Sequence, residues 1–238
     1  MVTNPDALTV LCFGDSNTYG QRSEQVELGR WPVDVRWTGQ LQCLLGDEYS
    51  VIEEGLSGRT TNLDDPEQVG ASGRAYLRPC LETHLPLDIV VLMLGTNDLK
   101  VRFERSSAQI VSAVSELVDD ILTIVSSRDG SRSQVVLLAP VPPDNRKPKF
   151  AELYGADFDH QSIVNSQELV GGLRALALSR GLPFASLDDV ADMGEDGLHL
   201  DRDSHGPVAE LVARTIKGMG GGRYVEMPGG AEDIRVER

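Results

Sequence analysis

Four short stretches of this sequence hold the residue types that acyl transfer uses. Ser16 lies in LTVLCFGDSNTYG (Leu8 to Gly20), Gly58 in GLSGRTT, Asn97 in GTND, and Asp196 and His199 in DGLH. A serine hydroxyl is a poor nucleophile until a base takes its proton, and histidine is the side chain best tuned for that near neutral pH. A carboxylate on the far ring nitrogen fixes the tautomer and stabilises the imidazolium that forms. Asp196 and His199 are close enough in sequence for one loop to deliver both. Gly58 offers an unhindered backbone N–H and Asn97 a carboxamide N–H, and donors aimed at a developing oxyanion each contribute about 3–4 kcal/mol when measured by deletion. No one stretch carries the reading alone, because Gly-Asp-Ser also spells an ordinary turn followed by a helix cap.

These groups need elements to hold them. Leu8 to Phe13 is an apolar run rich in β-formers and reads as a buried strand ending at Gly14-Asp15-Ser16. Tyr49 to Leu56 starts as a second strand and ends in the Gly55 to Thr61 turn, and Asp88 to Leu94 is almost wholly apolar, as a central parallel strand should be. Gln134 to Val141, halted by prolines, and Pro183 to Leu187 supply a fourth and a fifth. Helical spacing is evident around Val35 to Leu45, Ala75 to Leu85, Ile110 to Val125 (capped by Ser106 or Ser107) and Ser162 to Ser179, with a last helix starting at Ser204. Asp144 to His160 is polar and carries Phe150, Tyr154 and Phe158. It reads either as a mobile cover over the sheet edge or as a connecting loop with three aromatics packed beneath it. Strand and helix alternate throughout, which predicts an α/β fold with a mostly parallel five-stranded sheet between two helix layers. In such sheets ligands sit at the carboxyl ends of the strands, where Ser16, Gly58 and Asn97 all fall.

At 238 residues the chain suits one domain, taken as residues 1–218, followed by a glycine-rich, charged tail over 219–238. The formal net charge is −15 and no basic stripe occurs, which disfavours nucleic acid, an anionic membrane surface or a polyanionic substrate as partner. Cys12, Cys43 and Cys80 are odd in number, lie in apolar or amphipathic runs and lack zinc-type spacing, so they read as reduced, packed thiols. With no signal-peptide pattern and no apolar run of membrane-spanning length, the expectation is a soluble cytoplasmic protein. No cofactor and no metal is expected.

Taken in order, FGDSNTYG, GLSGRTT, GTND and DGLH resemble the signature blocks of the SGNH, or GDSL-type, hydrolase superfamily. The resemblance extends from Leu8 to Lys217 and is closest to the bacterial arylesterase and acyltransferase (perhydrolase) branch, through DVRWTG, VIEEGLSGRTTNLDDP and THLPLDIVVLMLGTND. It implies a flavodoxin-like three-layer α/β/α sandwich. It also implies Ser16 as nucleophile, His199 as base, Asp196 as its orienting acid, and an oxyanion hole from the Ser16 and Gly58 N–H groups and the Asn97 side chain. The family's usual residue after the nucleophile is leucine, whereas this chain has Asn17. Asn17, Thr96, Lys100 and Leu198 are expected to line the substrate path, while Asp15 and Asp98 brace turns. The implied activity is hydrolysis of a small neutral ester with a short acyl chain, with water, an alcohol or peroxide as acyl acceptor, in a homo-oligomer. Two alternatives compete: a metal-dependent phosphoesterase using Asp15, Asn97, Asp98 and His199 as ligands, and a catalytically silent binding module. Against the first stand the four histidines without paired ligand spacing and a charge balance that repels phosphate. Of the other histidines, His84 reads as structural, His205 as capping or packing the last helix, and His160 as solvated. Arg36 and Trp37 either support the site or belong to the core.

Overall fold

A computed structural model describes residues 4–24, 29–124, 127, 130 and 133–219. Five strands, β1 (Leu8–Gly14), β2 (Tyr49–Gly55), β3 (Ile89–Met93), β4 (Gln134–Ala139) and β5 (Phe184–Ser186), form one sheet in the order β2-β1-β3-β4-β5. Every pairing in it is parallel. Seven helices accompany it: α1 (Ser16–Tyr19), α2 (Trp37–Leu45), α3 (Gly73–Thr83), α4 (Ser107–Ile124), α5 (Phe150–Tyr154), α6 (His160–Arg180) and α7 (His205–Met219).

The two helix layers follow from the period of two along the strands. Leu11 and Phe13 of β1, Val90 and Leu92 of β3, and Val135 and Leu137 of β4 are buried with side chains of α3, α4 and α6. The intervening Val10, Cys12, Val91, Met93, Val136 and Leu138 are buried with α2 and α7. Both faces of the central strands are therefore covered, which is why they are apolar without alternation.

The register sets the site. Gly14 at the end of β1 pairs with Gly55 of β2 on one side and Met93 of β3 on the other, so the turns after the first three strands emerge level with one another. Strand order also reverses at β1, between β2 and β3, and crevices of open parallel sheets form at such reversals.

The expected elements are all present, with ends moved by one to three residues. Among the described residues two further short α-helices occur. One is α1, whose N-cap is Asp15, with Asp15 Oδ1 accepting from the Asn17 N–H at 3.0 Å. The Gly-Asp-Ser stretch is thus a cap as well as a candidate site. The other is α5, inside the segment expected to be irregular. Its Phe150, together with Phe158, is buried in the core, as a loop with aromatics packed beneath it requires. Ser106 caps α4, accepting from the Gln109 N–H at 3.3 Å, while Val125 and the 220–238 part of the expected tail lie outside the described residues.

Candidate active site

The three turns beyond β1, β2 and β3 are locked by buried polar side chains. Arg59 is almost fully buried. Its Nη1 donates to the Gly14 carbonyl at 2.9 Å and to that of Glu54, and its guanidinium lies 4.2 Å from the centre of the Phe13 ring. One side chain thereby ties the end of β1 to the end of β2, and its burial lowers its pKa. Asp98 accepts from the Thr61 N–H at 2.9 Å and from the Thr61 hydroxyl, and Arg105 adds a contact at 3.3 Å, joining the third turn to the second. Burial pushes the Asp98 carboxyl up to about 6, and Asp15, wholly buried beneath Ser16, is likewise pushed up to about 6. Both aspartates brace turns, as expected.

Between these supports sit the candidate reactive groups. Ser16 opens α1, where a first-turn N–H has no intrahelical partner. Gly58 has φ +80°, and a Cβ there would lie 1.8 Å from the Gln68 side chain, which itself donates to the Ser57 carbonyl. Only glycine fits both the backbone and the space. Asn97 is buried and its Nδ2 donates to the Arg59 carbonyl at 3.1 Å. That bond fixes the amide plane and leaves the second proton of the same nitrogen directed elsewhere.

The remaining pair arrives from the far end of the chain. Asp196 is fully buried. Its Oδ1 accepts from the N–H groups of Leu198 and His199, both at 2.9 Å, and its Oδ2 meets His199 Nδ1 at 2.7 Å. The hairpin turn at Gly197, φ +74°, lets one carboxylate reach the backbone and the imidazole of its own loop. That loop is joined to the Ser16 turn by Asn17, whose Nδ2 donates to the Leu198 carbonyl at 3.1 Å and whose Oδ1 accepts from the Leu200 N–H at 2.9 Å. The residues on either side of His199 are therefore bonded to the residue after Ser16. Ser16 and His199 are both buried.

The other expected substrate contacts have definite places. Thr96 is buried with its hydroxyl facing Asp15, Lys100 has Nζ 3.7 Å from Asp65, and Leu198 is buried in the core. Trp37 is fully buried and donates through its indole to the Asn17 carbonyl at 3.0 Å, so it is core and support at once. Arg36 pairs with Glu53 at 2.7 Å. His205 is fully buried and accepts at Nδ1 from the Trp37 N–H at 3.2 Å, so it caps α2 from the first residue of α7; burial holds its pKa down at about 4.

Sequence reasoning overlooked Arg59, Gln68, Arg102 and the place of Tyr154. Arg102 joins Asp65 at 3.1 Å, Glu67 at 2.8 Å and Asp157 at 2.7 Å, pinning three surface segments together beside the site. Tyr154 packs edge-on to the His199 ring, centroids 6.0 Å apart, with its hydroxyl 3.5 Å from Asp196 Oδ2. A charged residue following glycine in GLSGRTT was the one available signal for Arg59.

Among the described residues one group, Glu54, Cys80 and His84, brings metal-capable atoms within 4.8 Å of one another. Burial pushes the Cys80 thiol up to about 12, His84 Nε2 meets Glu54 Oε1 at 3.0 Å, and the nearby Arg59 cation acts on Glu54 and Cys80 alike. The group is a hydrogen-bonded cluster beside a fixed positive charge, which disfavours a cation.

Residues 12–206 match the GDSL-like Lipase/Acylhydrolase family, and the chain belongs to it. Two solved structures share most of its length. The carbohydrate acetylesterase Est24 from Sinorhizobium meliloti is 36% identical, covering 89% of this chain and 99% of its own, with a TM-score of 0.81. The inhibitor-bound M. smegmatis aryl esterase is 37% identical over 89% and 99%, with a TM-score of 0.80. An acetylxylan esterase of Xylanibacter ruminicola is 23% identical over 227 residues, which is 89% of this chain and 44% of that protein, so the chain spans less than half of this relative's length. Fold and family together make the protein a carboxylic ester hydrolase of the SGNH type, akin to the acetylesterases. Among the described residues no helix is long and apolar enough to cross a membrane.

Proposed function

We propose that the protein is a serine esterase that removes short acyl groups, acetyl to butyryl, from aryl, simple alkyl or sugar alcohols through an acyl-enzyme. The observation that carries this reading is the 2.7 Å Asp196–His199 pair, bonded through its own loop to the turn that presents Ser16. In the first half-reaction Ser16 Oγ attacks the ester carbonyl while His199 Nε2 takes its proton. Asp196 holds Nδ1–H and stabilises the imidazolium. The oxyanion is met by the N–H groups of Ser16 and Gly58 and by Asn97 Nδ2. His199 then returns the proton to the departing alkoxide. In the second half-reaction His199 deprotonates water as the water oxygen attacks the acyl carbonyl, and the tetrahedral intermediate collapses to the acid by expelling Ser16 Oγ, which takes the proton back from His199. An alcohol or peroxide in place of water gives transfer or peracid formation by the same steps. The acyl-chain range and the sugar ester rest on the likeness to acetylesterases and aryl esterases.

Intact-mass spectrometry during turnover of p-nitrophenyl and sugar acetates tests this. An acyl adduct mapped to Ser16, absent in Ser16→Ala, is expected, with rates falling beyond butyryl. Turnover by Ser16→Ala, or a preference for long chains, overturns the corresponding part of the reading. Adding an alcohol or peroxide to the same assay measures the acceptor preference. We also propose a homo-oligomer, and a monomeric mass in solution would refute it.

A further inference from the structure

Asn17 directly follows Ser16 and opens the first turn of α1 with it. Its side chain is almost fully buried and both polar atoms of the carboxamide are bonded: Nδ2 to the Leu198 carbonyl at 3.1 Å, Oδ1 to the Leu200 N–H at 2.9 Å. Its backbone is held just as closely, the N–H by Asp15 Oδ1 at 3.0 Å and the carbonyl by the Trp37 indole at 3.0 Å. The two side-chain bonds bridge 181 and 183 residues of sequence, and the residue between their targets is His199. Only a planar group with a donor and an acceptor side by side can serve one residue's C=O and the N–H two residues on. A strand neighbour does this in a sheet, and here a single side chain does it for a loop.

We propose that Asn17 is a positioning residue that sets the His199 imidazole against Ser16, acting as a clamp on the loop that carries the base. The inference rests on the Ser16–His199 reading above. Without the carboxamide, the Leu198 carbonyl and Leu200 N–H become buried groups lacking partners, and the backbone must move to find them. His199 moves with it, while Asp196, bonded to the same loop, travels along. The pair therefore stays intact and its distance to Ser16 changes. A displacement of about 1 Å at a reacting group costs on the order of a hundredfold in rate.

The test is a double-mutant cycle on the full chain, with p-nitrophenyl acetate as substrate and a serine-directed phosphonate as label. Asn17→Ala and Asn17→Leu should lower kcat on the order of a hundredfold with KM little changed, and slow phosphonate labelling in proportion. Asn17→Asp, which keeps the acceptor for Leu200 and loses the donor for Leu198, should fall between them and the parent enzyme. In a His199→Ala background, where residual turnover of about 10³-fold over water remains measurable, Asn17→Ala should change the rate less than about twofold, because the group it positions is gone. An equal loss with and without His199, or a kcat within about threefold of the parent in folded Asn17→Ala and Asn17→Asp, overturns the clamp. Turnover by Ser16→Ala overturns the nucleophile reading instead, so the two failures are told apart.

Discussion

The two halves of the site are held in different ways. Ser16, Gly58 and Asn97 ride on turns that leave adjacent parallel strands in register, and Arg59 and Asp98 lock those turns from below. The His199 loop has no strand beneath it beyond the isolated Met193–Leu200 bridge. It is held by individual bonds, among them Gly194 N–H to the His199 carbonyl at 2.8 Å, Asp144 N–H to the Gly197 carbonyl at 2.8 Å, Lys149 N–H to the Glu195 carbonyl at 3.2 Å, and the two that Asn17 makes with Leu198 and Leu200. A sheet edge resists deletion of one side chain, whereas a tethered loop does not. On the proposed reading, the oxyanion donors are built into the scaffold and the proton carrier rides on a tethered loop.

Substitutions can break that contrast or sharpen it. The largest effect is expected for Asp196→Asn, which keeps an acceptor for the two loop N–H groups but favours the wrong histidine tautomer. A loss of about 10⁴-fold in kcat with a little-changed melting temperature would show that the loop can be intact and idle. Asn97→Ala should cost about 10²–10³-fold in kcat, with only about 1–3 kcal/mol of stability lost as the Arg59 carbonyl gives up its partner, because the turn stays locked by Asp98 and Thr61. A melting temperature that drops sharply would mean the sheet side is less rigid than drawn. Next comes Asp15. Its folded pKa of about 6 lies above the ordinary 3.8, so the protonated form is favoured on folding. Stability from this group is present below about 3.8 and is lost as pH rises through 6, amounting to roughly 3 kcal/mol at most. Asp15→Asn removes that dependence. Its melting temperature relative to the parent enzyme should therefore climb between pH 4 and pH 7, as calorimetry across that range would read. The smallest effect belongs to Tyr154→Phe. A hydroxyl 3.5 Å from Asp196 makes a weak bond, and its loss should change kcat by less than about fivefold, with packing against His199 retained.

Much of this was legible in the sequence. Val90, Val91 and Leu92 in one unbroken run mark a strand covered on both faces, and the alternation of such runs with 3.6-period segments gives the layers. Ser16 and Asn97 stand out at the ends of two strand-like runs, and His199 by its spacing from Asp196. What escaped was the destination of polar side chains whose partners lie far away in the chain. Nothing local says that Asn17 reaches Leu198 and Leu200, that Arg59 enters the interior against Phe13, or that Gln68 lies on Gly58. Short helices were missed for a related reason. The four residues of α1 and five of α5 are too short to show a period, and caps and tertiary contacts hold them in shape.

Arg59 also bears on the order in which the molecule can become active. The parts that would receive a negative oxygen all come from the first hundred residues and can settle together once β1, β2 and β3 have paired. The imidazole arrives only after the remaining strands and α6 have been laid down. On the proposed reading, a nascent chain that ends after β3 would hold the oxyanion donors without the base, and ester cleavage would wait until His199 had been added.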